Sequence, residues 1–345
     1  MRWPFLLLAG LALAAAPAPV SPRAPRAAEV TRTSQILARL TDANQWRAHV
    51  MVVAHRTGWK ENGRIVRPEN SLEAIRNAIA LGAEMIELDV RQTSDGTLVL
   101  MHDDFLDRTT TCRGETAKTS LARLKTCHLV IEGTGRATQE TVPTLEDAFA
   151  VTKGQILVNI DNKLTPEILP RVAALARAHG MAQEILIKEN LWNETRIGEA
   201  RSLIAAVGPD VTFLPILADD AVREAGFMAR ATSATHAPAA ELVHWHVDGT
   251  PLTADGGPLF SAKARAAAIR GNWHLWANTY PIVNRASGPQ AGGRGDELAV
   301  RDGRFAESWG FWIDRGATIL QTDEPKALIA WLDQNGYRIP YDLTN

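Results

Sequence analysis

Several features that would assign this chain to a class at once are missing from it. It has only two cysteines, Cys112 and Cys127, in 345 residues and no Cys-x-x-Cys pair, which sets aside a thiolate metal site. No uninterrupted run of about 20 apolar residues occurs, the length a membrane-spanning helix needs. Neither sign of charge dominates: 37 Lys and Arg stand against 39 Asp and Glu, for a formal net charge of -2. That balance lacks the basic excess of a nucleic-acid binder, so no nucleic-acid partner is expected. Hydrophobic residues make up 46% and charged residues 22%, which excludes wholesale disorder and collagen-like architecture.

The first residues carry an export pattern. Arg2 precedes a short apolar run, residues 5–16, too short for a bilayer and of signal-peptide size. Pro17, Pro19, Pro22 and Pro25 rule out a buried helix continuing from it. We expect residues 1–28 to be a signal peptide and leader ending at Ala27-Ala28, and the protein to be exported, periplasmic or secreted. One arginine rather than a pair argues against the twin-arginine route. No cysteine follows the run to accept a lipid, so no stable membrane anchor is expected. In an oxidising compartment a Cys112–Cys127 bridge would contribute roughly 3 kcal/mol by restricting the unfolded chain; two separate thiols are the alternative.

Beyond residue 45 the chain alternates short Val-, Ile- and Leu-rich runs with helix-like segments. The runs are 50–56, 85–90, 156–161, 185–188, 212–217, 242–247, 273–279 and 317–322. A helical example is 165–179, where Ile168, Leu169, Val172, Leu175 and Ala176 share one face. Eight such repeats are the pattern of a closed parallel (β/α)8 barrel, although a doubly wound open sheet shows the same alternation. An additional strand is expected at 97–101. A polar excursion at about 106–142 holds both cysteines and reads as an insertion over one rim. The glycine-rich stretch 284–302 lacks a following Gly-Lys-Ser/Thr and is expected to be a flexible loop, not a phosphate cradle.

Barrel enzymes place their chemistry at the C-terminal ends of the strands. There the sequence puts His55-Arg56 after the first run, Glu87 and Asp89 within the second, His102 after the additional strand, and Asp161 with Lys163 at the third. Glu87 and Asp89 are two apart and so share a face. With Asp161 they form an all-oxygen set suited to Mg²⁺ or Ca²⁺. Ion pairs to Arg56 and Lys163 are the competing explanation for the two acids. His55 and His102 offer an acid and a base around one reacting atom, and Arg56 and Lys163 add fixed positive charge for a phosphate group. Weaker candidates are His244-Trp245-His246, which lacks a third metal ligand, and Lys188, at the mouth or on the surface. Trp59, Trp192, Trp276, Trp309 and Trp312 could form an apolar rim or simply pack. Glu69-Asn70-Ser71 reads as a helix start capped by Asn70 or Ser71.

The stretches Ala54-His55-Arg56, Pro68-Glu69-Asn70-Ser71, Ile86-Glu87-Leu88-Asp89-Val90, Asp95-Gly96 and Met101-His102-Asp103 resemble the glycerophosphodiester phosphodiesterase family. Leu106-Asp107-Arg108-Thr109-Thr110, Pro143-Thr144-Leu145-Glu146, Asn159-Ile160-Asp161, Trp276-Ala277-Asn278 and Thr322-Asp323-Glu324-Pro325 continue the likeness over about residues 50–335. The resemblance implies a TIM-type barrel over about 45–340 with a small insertion after the second strand. It also implies hydrolysis of small-molecule glycerophosphodiesters to an alcohol and glycerol phosphate with a divalent cation. By position, Glu87, Asp89 and Asp161 would bind the metal, His55 and His102 would be acid and base, and Arg56 and Lys163 would hold phosphate.

Three positions depart from the family pattern. Thr57 replaces the glycine after His-Arg, the stretch 57–67 is long, and Asp161 is shorter than the usual Glu. These changes bear on substrate more than on reaction class. Two other functional classes are compatible with such a chain: an exported solute-binding or non-catalytic phosphodiester-binding protein, and a phospholipase-D-type lyase on lysolipids.

Overall fold

The computed structural model describes Met1 and residues 30–247, 249–281 and 291–342, so the expected leader at 1–28, Met1 apart, lies outside the described residues. The described residues from 31 onwards form one compact unit. Its centre is a closed barrel of eight parallel strands: β1 (Met51–Ala54), β2 (Met85–Gln92), β3 (Leu157–Asn162), β4 (Ile185–Asn190), β5 (Thr212–Ala218), β6 (Ala239–Val243), β7 (His274–Asn278) and β8 (Ala317–Thr322). Each strand pairs with its neighbours in sequence, and β1 closes the ring by pairing with both β2 and β8. The open-sheet alternative is thereby excluded. The additional strand, Leu98–Leu100, runs antiparallel to β2.

Period-two alternation explains the layers. Ile86, Leu88 and Val90 of β2 are fully buried and belong to the outer core between sheet and helices, with Ile75, Ala78 and Phe149. The residues between them point into the barrel. At the N-terminal end this interior is apolar, filled by Met51, Met85, Leu157, Leu186, Leu214 and Trp276. Further along the same strands the inward positions turn polar (Glu87, Asn159, Lys188, Glu241), and all four are buried.

The apolar end is plugged by a helix, Arg32–Thr41, that precedes the expected start at residue 45. Its Ile36 and Leu40 are fully buried in the interior core. Arg32 donates to the carbonyls of Gln155 (2.7 Å), Gly82 and Ala83 (2.9 Å each), the turns that lead into β2 and β3. Beside it the Glu84 carboxylate takes the Val52 N–H at 2.8 Å and pairs with Arg338 at 2.8 Å and His49 at 3.3 Å. The C-terminal tail is thereby tied to the same end of the barrel.

Several boundaries shift from the sequence reading. The sixth strand lies at Ala239–Val243 and not at 242–247; the apolar pair Ala239-Ala240 supplies its first residues, and His244 to Val247 run on as loop. Residues 284–290 of the glycine-rich stretch fall outside the described residues. Its remainder is not simply loop: it forms a short 3₁₀ turn at Ala291–Gly293 and a π-helical turn at Glu297–Arg301. The helix expected at 165–179 forms as a 3₁₀ turn, Pro166–Ile168, leading into an α-helix, Leu169–Ala178.

The excursion after the additional strand contains a helix, Leu121–Leu124, and an antiparallel pair, His128–Ile131 with Arg136–Thr141. It has its own small core, in which Leu106, Leu124 and Leu129 pack around a Cys112–Cys127 disulfide.

Candidate active site

β1 ends in a tight turn that presents His55 and Arg56 at the polar end of the barrel. Three consecutive residues are left-handed there: Arg56 (φ 44°), Thr57 (φ 71°) and Gly58 (φ 85°). A buried threonine at that angle is strained, because its branched Cβ crowds the backbone. The turn therefore keeps the path that glycine would ease. It also aims the Arg56 N–H at Glu87 Oε2, 2.8 Å away. The long stretch after it folds as a two-stranded ribbon, Lys60–Glu61 with Arg64–Ile65.

Glu87, Asp89 and Asp161 converge. One oxygen from each lies within 4.8 Å of the others. The register explains it: Asp89 of β2 is the direct partner of Asp161 of β3. Burial, with the negative charges of Asp89 and Asp161 beside it, pushes the Glu87 carboxyl well above its ordinary range. Burial acts the same way on Asp89, but Lys163 and Arg56 overcome it and hold that carboxyl below the usual range. Lys163 Nζ lies 3.0 Å from Asp89 and also pairs with Asp161; Arg56 Nε lies 4.0 Å from Asp89. The ion-pair explanation thus applies to Asp89. Glu87 instead receives a peptide N–H and faces His55 Nε2 at 4.0 Å. Three mutually repelling carboxylates, Glu87 and Asp89 buried and Asp161 half-buried, all oxygen donors, fit a hard divalent cation.

The two histidines flank this cluster, and each is close enough to Asp89 for their charges to interact. His55 Nδ1 is 2.7 Å from Asp323 Oδ1, which also accepts from Trp59 Nε1 at 2.9 Å. Burial lowers the His55 pKa below its ordinary value, and the Asp323 carboxylate acts in the opposite direction. Tyr280 lies flat on the imidazole, with ring centres 3.6 Å apart. His102 Nδ1 is 2.6 Å from Asp103 Oδ1, and Arg108 of the excursion grips Asp103 at 2.7 and 2.9 Å. Arg108 also bonds Glu69, the partner of Arg56, at 2.6 and 3.0 Å.

The seven residues singled out in the sequence therefore lie at one barrel mouth. Four others were missed as site residues. Asp323 and Arg108 sat in the family-like blocks without a role; Tyr280 and Glu241 carried no pattern at all. Asn70 is more than a candidate cap: Ser71 caps the helix Leu72–Leu81, while Asn70 bonds Asp89 twice, donating from Nδ2 at 2.7 Å and accepting from its N–H at 3.0 Å.

Lys188 is no surface residue. It is buried, 3.2 Å from Glu241 and 3.5 Å from Asp161. His244 pairs with Asp219, and neither it nor His246 joins a metal-type cluster among the described residues. Trp276, Trp309 and Trp312 are fully buried packing residues, whereas Trp59 touches Asp323 and Trp192 is half exposed. A cavity of about 510 Å³ opens beside Asp161 and Tyr280. A larger groove of about 1360 Å³, lined by Ile204, Phe213 and Trp273, contains none of the acidic cluster.

The glycerophosphoryl diester phosphodiesterase family model matches residues 55–268, and a model described as a domain of unknown function matches 213–332. A glycerophosphodiester phosphodiesterase of Caldanaerobacter subterraneus is 33% identical over 142 residues, which is 40% of this chain and 56% of that protein. Human glycerophosphodiester phosphodiesterase 1 is 37% identical over 106 residues, 30% of each chain. The chain thus matches about half or less of the length of these relatives. Among solved structures, a glycerophosphoryl diester phosphodiesterase of Parabacteroides distasonis has a TM-score of 0.66 at 19% identity, covering 92% of this chain and 95% of that one. An Oleispira antarctica phosphodiesterase in complex with its product sn-glycerol-3-phosphate has a TM-score of 0.53 at 20% identity, covering 82% and 96%. These two share the barrel fold.

Proposed function

The chain belongs to the glycerophosphoryl diester phosphodiesterase family, and from that premise we propose that it hydrolyses glycerophosphodiesters to an alcohol and glycerol phosphate. The observation that carries this reading is the convergence of three carboxylates and two carboxylate-paired histidines on one barrel mouth. Glu87, Asp89 and Asp161 would hold a divalent cation, Ca²⁺ or Mg²⁺. When bound, that ion supplies charge to polarise a phosphoryl oxygen. Arg56 and Lys163 add fixed positive charge on the same side, where the phosphate group binds.

Proton traffic falls to the histidines. Asp323 accepts a hydrogen bond from the His55 Nδ1–H, which leaves Nε2 with a free lone pair directed at the acidic cluster. Burial keeps this imidazole neutral at neutral pH, as a general base requires. His55 Nε2 takes a proton from water as its oxygen bonds to phosphorus. The bond from phosphorus to the alcohol oxygen breaks, and His102 donates a proton to that oxygen. Asp103 and Arg108 hold His102 for this role. Residues 1–28 would direct export to the periplasm or beyond; the Cys112–Cys127 bridge is consistent with an oxidising compartment.

The test is to incubate metal-stripped, leaderless protein with glycerophosphocholine, glycerophosphoethanolamine and glycerophosphoinositol, with and without Ca²⁺ or Mg²⁺. Glycerol phosphate release that requires metal and falls at least ~10²-fold in His55→Ala and His102→Ala is expected. Near-normal turnover in His102→Ala would remove it from the mechanism, and no release from any diester would sink the hydrolase reading.

A further inference from the structure

Resting on the cation-site reading of the acidic cluster, we infer that the buried Lys188–Glu241 pair sets how tightly that site binds its ion. Neither residue belongs to the cluster itself. Lys188 acts on it through Asp161, and Glu241 acts through Lys188.

The barrel register builds the pair. Lys188 on β4 lies opposite Leu214 of β5, and Glu241 on β6 lies opposite Ile216 of the same strand. Both β5 residues are apolar, so the lysine reaches past them to Glu241 Oε2, 3.2 Å away. Its other carboxylate partner is Asp161, through Oδ1 at 3.5 Å. Lys163 pairs with the second oxygen, Asp161 Oδ2, so each oxygen of this carboxylate faces a lysine. Burial pushes the Asp161 carboxyl up, and Lys188 with Lys163 brings it below its ordinary range. The Lys188 charge also reaches Glu87. Glu241 is held from its far side: Oε1 accepts from Asn278 Nδ2 at 2.8 Å, and Asn278 Oδ1 accepts from Trp276 Nε1 at 3.0 Å.

A buried ion pair adds little stability over an apolar pair of similar volume, so its larger consequence here is electrostatic. Lys188 and a divalent cation are drawn to the same carboxylates and repel each other across a poorly screened interior. The lysine alone would weaken cation binding. Glu241 offsets that repulsion from one side chain further away.

The test is calorimetric titration of the metal-stripped protein with Ca²⁺ and with Mg²⁺, which needs no turnover. Lys188→Met should bind the ion at least about tenfold more tightly, and Glu241→Gln at least about threefold more weakly. The double variant Lys188→Met/Glu241→Gln should return to within about threefold of wild type. Lys163 remains to orient Asp161 in all three. A packing defect would weaken binding in both single variants, so opposite signs cannot come from one. If Lys188→Met alone fails to fold, the double variant compared with Glu241→Gln isolates the charge of the lysine, and tighter binding in the double supports the pair. Weaker or unchanged binding in folded Lys188→Met, or a double variant no tighter than Glu241→Gln, would overturn the role of the pair and leave the cation site standing. No binding of either ion by wild type would overturn both. The phosphodiesterase reading is judged separately, by glycerol phosphate release.

Discussion

His55 and Asp323 come from opposite ends of the folded chain, and their Nδ1 and Oδ1 atoms lie 2.7 Å apart. The contact exists because β1 and β8 are neighbours in the closed barrel, with Ala54 in register with Thr322. The residue that follows each strand then lands beside the other. Asp323 Oδ2 is held at 2.6 Å by Lys60 Nζ, so the carboxylate is oriented from both sides.

Asp323→Asn should therefore impair catalysis more than stability. The Lys60 ammonium will draw the amide oxygen, turning the amide NH₂ towards His55 Nδ1 and forcing the ring proton onto Nε2. A fall in kcat on the order of 10²–10⁴-fold is expected, with an unchanged far-ultraviolet spectrum. A fall of less than threefold would show that Asp323 does not set the tautomer.

The pH profile should carry the same signature. Burial lowers the His55 pKa from 6.5 against the pull of Asp323, so the basic form persists below that pH. The acid limb of kcat/KM should lie below pH 6.5 and move lower still in Asp323→Asn, which loses the raising partner. A limb above 6.5 would contradict the assignment of His55 as base.

Glu87→Gln separates metal binding from folding. Divalent-cation affinity should fall at least about tenfold, read by calorimetry. Without metal the variant should be no less stable than wild type. The raised pKa means that Glu87 contributes stability below its unfolded value of about 4.5, and that this is lost as pH rises through the folded value. Glutamine removes the charge, so the gap in melting temperature should widen in its favour towards pH 8. Unchanged cation affinity would refute the ligand role.

Glu84 shows the opposite sign. Burial would raise its carboxyl, but Arg338 and His49 hold it at about 2. Its stabilisation is present above the unfolded value of about 4.5 and disappears as pH falls through about 2. That corresponds to about 3 kcal/mol at neutral pH. Glu84→Gln should lower the melting temperature strongly at pH 7 and little at pH 2.5; equal losses at both would argue against the linkage.

The Cys112–Cys127 bridge closes a loop over a sequence separation of 15, for which chain entropy gives about 3 kcal/mol. Reductant, or the Cys112→Ser/Cys127→Ser pair, should lower the melting temperature of the excursion and loosen Arg108. Identical melts with and without reductant would rule that contribution out.

Much of the molecule was legible in one dimension. Short apolar runs with helices between them predicted the barrel strands, and period two placed Glu87 and Asp89 on one face, because both patterns are local consequences of backbone geometry. The sixth strand was misplaced because His244 to Val247 alternates like a strand yet lies past the end of the ladder. The helix Arg32–Thr41 was missed because its role as plug depends on a barrel end that no local pattern describes.

The sequence by itself determined the alternation of strands and helices, the acids that share one strand face and the histidines at strand ends. Only the tertiary structure decided which groups touch. Barrel closure joined Asp323 to His55, the β2–β3 register set Asp89 beside Asp161, and the excursion carried Arg108 across to Glu69 and Asp103. These pairings span long stretches of chain, and their distances are set by the closing of the sheet, to which local pattern is blind.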